Sequence, residues 1–207
     1  MSAMRAQAKT APSLIGLVPL TTLQSVALVV LGTLMLTLAA KAKVPFYPVP
    51  MTLQTLALGL IAAAGGARIA VATVLLYLAE GALGLPVFTN TPPSVAGIAY
   101  MAGPTGGYLA GYLVAALMVG TFADRGLTRS PLKLFGVLML GDLLILAMGT
   151  AWLAYGATLA SGAQGMGLDK ALAVGAYPFL LGGLVKEALG TAIITGMWSL
   201  ADRNRSI

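Results

Sequence analysis

The stretch Val44-Pro-Phe-Tyr-Pro-Val-Pro-Met-Thr-Leu-Gln-Thr55 (VPFYPVPMTLQT) lies between two strongly apolar runs and decides how the chain is read. Pro45, Pro48 and Pro50 each fix φ and push the preceding residue toward extended geometry. The segment is therefore stiff and helix-free. It leads Thr52, Gln54 and Thr55 into the apolar run that follows. A plain connector between helices is shorter, more polar and richer in glycine or serine. Rigid backbone that carries polar side chains to the mouth of an apolar segment suggests a binding site.

The rest of the chain says where such a site would sit. Of 207 residues, 58% are hydrophobic and only 9% charged, and the mean hydropathy is +0.93. In soluble domains charged residues make up about a quarter. A soluble fold could not hide this much apolar surface, because much of any folded surface stays exposed. The chain reads as an integral membrane protein. Its 26 glycines suit tightly packed transmembrane helices, where small residues let backbones approach. With no cysteine, disulfides, thiol catalysis and thiolate metal sites are excluded. With no histidine, the commonest general base and metal ligand are missing. The net charge of +6 comes without a basic run or nucleic-acid motif, so no nucleic-acid partner is expected.

About 20 apolar residues span a bilayer. On that measure the sequence predicts an all-α fold of six transmembrane helices, at about 22–42, 53–64, 67–83, 107–123, 132–155 and 177–201. Gly65-Gly66 supplies a tight turn between the second and third. Orientation follows lysine and arginine. Arg5, Lys9, Arg68, Arg125, Arg129, Lys133, Arg203 and Arg205 fall on one side, and Lys41, Lys43 and Lys170 on the other. Both termini are therefore expected in the cytoplasm. The connections at 43–52, 84–106 and 156–176 become long outer loops, forming a lid over an outward-facing pocket. The basic start (MSAMRAQAKTAPS) lacks a short apolar core with a cleavage site and reads as a retained lead. The expected organisation is one membrane domain, 1–207: a cytoplasmic lead (1–21), the bundle (22–201) and a cytoplasmic tail (202–207).

An ionisable residue in hydrocarbon is costly and asks for a partner or a role. Lys186 lies about 12 Å into its helix, too deep to reach the surface easily. Gly182, Gly183 and Gly190 stand beside it at helical spacing and leave room for a ligand. The working expectation is a donor to an anionic or carbonyl group of a substrate; the competing role is an internal ion pair with Asp142 or Glu80. Asp142 is open between a structural hydrogen bond and a ligand contact. Glu187, about 100° around the helix from Lys186, is open between the cavity rim and a partner surface. Glu80 reads as a solvated helix end.

The stretch Gly84–Tyr108, GLPVFTNTPPSVAGIAYMAGPTGGY, holds more apolar residues than a solvated loop tolerates. Thr89, Asn90 and Thr91 lie at its centre, and Gly103-Pro-Thr105-Gly-Gly107 makes a sharp turn. Phe46, Tyr47, Phe88, Tyr100 and Tyr108 are candidate aromatic walls. Gly107, Gly111 and Ala115 form a small-residue stripe that reads as helix packing.

VPFYPVPMTLQTL, YLAEGALGLPVF, GPTGGYLAGY and YPFLLGGLVKEALG occur in this order. Together they resemble the BioY family, the biotin-capturing membrane subunit of energy-coupling factor (ECF) vitamin transporters, over about residues 31–195. The resemblance implies six helices, a biotin site near the outer face and a lid from the first and third outer loops. It also implies a transmembrane coupling protein and two cytoplasmic ATPases as partners, with action without them in some bacteria. The family's pocket region maps onto Gln54, the Asn90 loop, residues 105–108 and Lys186. The family commonly carries Pro-Phe-x-x-Gly-Asp-x-x-Lys; here Gly183 replaces that aspartate, so Asn90, Asp142 and Glu187 become candidates to supply the missing acceptor. Helix 1 lacks the Ala-x-x-x-Ala pair with which related subunits dock the coupling protein. Only Thr33 and Thr37 offer small residues at that spacing.

The residue chemistry agrees with that implication. Biotin needs hydrogen-bonding groups for its ureido head, apolar walls for its valerate chain and a cation for its carboxylate. The expected substrate site is Thr52, Gln54, Phe88, Asn90, Thr105, Gly106, Tyr108, Asp142 and Lys186, with Lys186 open between the carboxylate and the ureido oxygen. No catalytic residues, metal or cofactor are expected: the chain has no Ser–His pair, zinc site or phosphate loop. The expected function is biotin capture and uptake in the bacterial cytoplasmic (inner) membrane, in contact with membrane lipid. The rival is a stand-alone or homo-oligomeric carrier working without an ATPase.

Overall fold

The computed structural model describes residues 13–17, 20–45, 47–91, 93–94 and 96–203. The expectations placed on Arg5, Lys9, Phe46 and Arg205 lie outside them. Among the described residues the fold is helical apart from one minimal strand pair and one isolated bridge. Helix α1 (Thr22–Lys41) leads into a hairpin of β1 (Lys43–Val44) and β2 (Met51–Thr52), and then α2 (Gln54–Ala82). A one-turn α3 (Ile98–Met101) precedes α4 (Gly106–Asp124), α5 (Pro131–Tyr155), the short α6 (Leu168–Gly175) and α7 (Tyr177–Arg203). Among the described residues five stretches are long and apolar enough to cross a membrane: α1, α2, α4, α5 and the joined run Leu168–Arg203. The molecule is a multi-pass membrane protein.

Helix α1 starts on a reciprocal cap. Gln24 N donates to Thr21 Oγ1 at 3.3 Å, and Thr21 N donates to Gln24 Oε1 at 2.9 Å. Gly32, Thr33, Leu36 and Ala40 form its buried stripe. Leu23, Leu31, Leu34 and Leu38 stay exposed on the opposite side.

The second and third expected helices form one element, α2, interrupted at Gly66 (φ 75°, ψ 178°). Only glycine adopts that conformation readily. The break frees the amide of Ala67, which donates to Asp124 Oδ2 at 3.0 Å. A straight 29-residue helix would place Gln54 and Tyr77 roughly 34 Å apart. Instead Gln54 Nε2 donates to the Tyr77 hydroxyl at 2.8 Å. The two halves of α2 double back on each other at Gly66.

Helix α4 packs on α2 and α5. Gly107 fits against Trp152, and a Cβ at Gly111 would stand 3.0 Å from Ile145 Cα. The small-residue stripe is thus a packing face.

Three expectations change. The 156–176 connection is not simply a loop: Thr158 bridges Gln164, and α6 follows. Helix α6 buries Ala171 and Gly175, and Tyr108 Oη donates to Gly175 O at 2.7 Å. Its sequence Leu-Asp-Lys-Ala-Leu-Ala-Val-Gly has Asp169 in the first turn, where the helix dipole favours an acid. Glu80 is not a solvated helix end; it is half-buried and accepts from Thr33 Oγ1 at 3.1 Å. Thr33 therefore faces α2 and not an outward docking groove.

Candidate functional site

The hairpin, the 83–105 connection and the bundle enclose a cavity of about 600 Å³, its open mouth included. Each wall has a local cause. The β1–β2 pairing sets Lys43 opposite Thr52 and Val44 opposite Met51, so the proline-braced turn delivers Val49, Pro50 and Thr52 to the cavity edge.

Gln54, the first residue of α2, ties the walls together. Its Nε2 donates to Tyr77, whose hydroxyl donates to Val87 O at 3.1 Å. Its Oε1 accepts from Thr89 Oγ1 at 3.1 Å and Thr52 Oγ1 at 3.3 Å. Gln54 is 3% exposed. Its polar atoms are thus engaged in joining the hairpin, α2 and the 83–105 connection.

Phe88 plugs that connection into the bundle. It is 1% exposed, stacks on Tyr100 (centroids 4.8 Å apart, planes at 14°) and meets Tyr77 edge-on at 5.6 Å. Gly81 admits the ring, because a Cβ there would overlap it. Burial pushes the Tyr100 phenol pKa up from its ordinary value. Lys41, at the end of α1, donates to the carbonyls of Pro86 (2.7 Å), Phe88 (2.6 Å) and Thr91. Lys43 adds Thr89 O at 3.3 Å and Asn90 Oδ1 at 2.7 Å. Two lysines of the first connection hold the second.

Lys186 enters from α7 and Asp142 from α5. Lys186 Nζ donates to Thr55 Oγ1 at 2.6 Å and reaches Thr52 O at 3.5 Å. Asp142, 5% exposed, lies beside both Thr55 and Lys186. Gly183 explains how the carboxylate fits: a Cβ there would overlap Asp142 Oδ2. Tyr108, Tyr112, Ile145 and Leu146 complete the apolar side. A cation, a carboxylate and hydroxyls at one end, with aromatic walls above them, suit a small amphipathic molecule bearing an anion and polar N–H groups.

All the expected site residues line this cavity except Asn90 and Gly106. Asn90 turns its side-chain oxygen to Lys43 instead. A Cβ at Gly106 would overlap Met101 O and lie 3.0 Å from Trp152 Nε1, so this glycine serves packing. Tyr47 is 83% exposed and forms no wall. The sequence reading noted Thr55 and Thr89 without counting them in the site, and missed Tyr77, Tyr112 and Phe179 as lining residues. Tyr77 and Tyr112 had a visible signal: a tyrosine inside an apolar helix needs a partner for its hydroxyl.

These features define a small helical membrane protein with a polar-and-aromatic cavity fastened by ordered connections at one end. The match to the family model described as "BioY family" runs over residues 7–203. The chain belongs to that family. Among its relatives, the biotin transporter BioY2 of Lactococcus lactis subsp. cremoris (strain MG1363) is 36% identical over 174 residues, covering 83% of this chain and 88% of that protein. The biotin transporter BioY of Thermotoga maritima is 32% identical over 161 residues, covering 78% and 88%. The crystal structure of the S-component for biotin from an ECF-type ABC transporter superposes with a TM-score of 0.70 at 23% identity, covering 86% of this chain and 94% of that one. That likeness shows a shared fold.

Proposed function

We propose that this chain captures biotin and serves its uptake as the substrate-binding subunit of an ECF-type transporter. It is a transport protein, not an enzyme. The observation that carries the reading is the Lys186–Thr55–Asp142 cluster at one end of an aromatic-walled cavity, in a chain whose relatives are named biotin transporters. Lys186 binds the valerate carboxylate or the ureido oxygen. Asp142, seated over Gly183, accepts from the ureido N–H groups. Thr52, Thr55 and Thr105 add polar contacts, and Phe88, Tyr108 and Tyr112 wrap the apolar atoms. Gln54 acts by holding Thr52 and Thr89 in place.

The doubled-back α2 gives six crossings within one membrane domain, with the Gly66 and 125–130 turns facing the cytoplasm together with both termini. The hairpin and the 83–105 connection then form an outer lid in the cytoplasmic membrane of a bacterium. A transmembrane coupling protein and cytoplasmic ATPases complete the transporter. With Thr33 buried, docking to the coupling protein uses other outward surfaces.

Uptake of radiolabelled biotin tests this in biotin-auxotrophic cells, with and without a co-expressed ECF module. Accumulation that needs this chain and increases with the module is expected, with Lys186→Met abolishing most of it. Uptake equal to that of empty-vector cells, from protein present in the membrane, would refute the assignment.

A further inference from the structure

A second, smaller cavity lies against the first, sharing Thr55, Asp142 and Ile145 with it. Its remaining walls are mostly apolar, apart from Glu187. It has room for about one water. Glu187 is 1% exposed, and its Oε2 has no hydrogen-bond partner. Gly59 and Gly190 flank the carboxyl: a Cβ on either would stand at contact distance, 3.5 or 3.9 Å, from Oε2.

The local charges do not balance. Asp142 on α5 and Glu187 on α7 are two potential anions, facing one cation, Lys186. The hydroxyls nearby are Thr55 on α2 and Tyr112 on α4, the latter facing Asp142. Lys186 donates to Thr55, with Asp142 beside them, so its hydrogen bonding is directed away from the unpaired Oε2 of Glu187. An ionised Glu187 would be a buried charge with an unpaired oxygen, which costs several kcal/mol. Among the described residues no three His, Cys, Asp or Glu side chains group together to hold a metal ion.

We propose that the Glu187 cavity is a proton-binding site: Glu187 is carried as the neutral acid, its proton directed to a water or to Asp142. The link to transport rests on the biotin reading. Biotin brings its own carboxylate to the adjoining cavity, so its binding is favoured while Glu187 stays protonated. Raising pH ionises Glu187, adds a second negative charge beside Asp142 and weakens binding.

The test has two arms on the purified full chain in detergent. Infrared spectroscopy at neutral pH reads the carbonyl stretch of protonated carboxyl groups, without biotin. Wild type should show a band that Glu187→Gln removes; identical spectra would overturn the proposal whether or not biotin binds. Biotin titration across pH forms the second arm. Wild-type Kd should rise with pH by up to about tenfold per unit, the limit for one linked proton. Glu187→Gln, which keeps the neutral shape, should match wild type at neutral pH and lose that component; Lys186 titrates in both proteins and cancels in the comparison. Superimposable pH profiles would overturn the link to binding. Sodium restoring affinity at high pH would overturn the proton in favour of a metal cation.

Discussion

Gly66 shows how one residue sets a path. Its φ of 75° and ψ of 178° reverse the chain between the halves of α2, and a Cβ there would overlap the Asp124 carboxylate that caps Ala67. Gly66→Ala therefore combines backbone strain with loss of a cap. We expect a loss of about 1–3 kcal/mol from the conformation alone and lower thermal stability in detergent. An unchanged unfolding midpoint would mean the reversal is held elsewhere. Gly183 teaches a different lesson. In the sequence it looks like a missing carboxylate; in the fold it is the space into which Asp142 fits. A glycine's consequence depends on what another helix brings opposite it, and one chain read alone does not contain that pairing.

Elements were legible to different degrees. The long apolar runs and the helix-breaking prolines carry strong local signals, so α1, α4, α5, α7 and the helix-free connection at 43–52 fall close to their expected places, while the strand pairing within that connection was not foreseen. The eight-residue α6 was hidden because it is far too short to span a membrane and its buried positions, Ala171 and Gly175, are small. Lys41 and Lys43 looked like charges at a helix end. Their bonds to carbonyls more than 40 positions away depend on tertiary closure that periodicity does not encode. Lys41→Met removes the three-carbonyl clamp on 86–91, where hydrogen bonds to a charged donor contribute about 1.5–3 kcal/mol each. Hydrogen exchange at 86–91 should accelerate, and bound biotin should dissociate at least about tenfold faster. Unaltered exchange and dissociation would show that Phe88 holds the connection without help.

At the scale of the molecule, charge and polarity separate by end. Arg68, Arg125, Arg129 and Lys133 belong to the turns at the Gly66 end; the Arg129 guanidinium lies 4.1 Å from the Trp198 ring centroid. Lys41 and Lys43 fasten the other end, where the cavity opens. Between them Lys186, Asp142 and Glu187 form the costly polar centre. Composition made the membrane setting plain, and Lys186 announced itself by depth. Its bond to Thr55 and the exclusion of Asn90 from the cavity required three-dimensional packing. The central claim is that Lys186 and Asp142 bind biotin, and calorimetric titration of the purified protein with biotin tests it most directly. Wild type should bind one biotin per chain, and Lys186→Met and Asp142→Asn should each weaken binding about tenfold or more, about 1.4 kcal/mol. Folded wild-type protein that takes up no biotin, or variants that bind as tightly as wild type, would contradict the account.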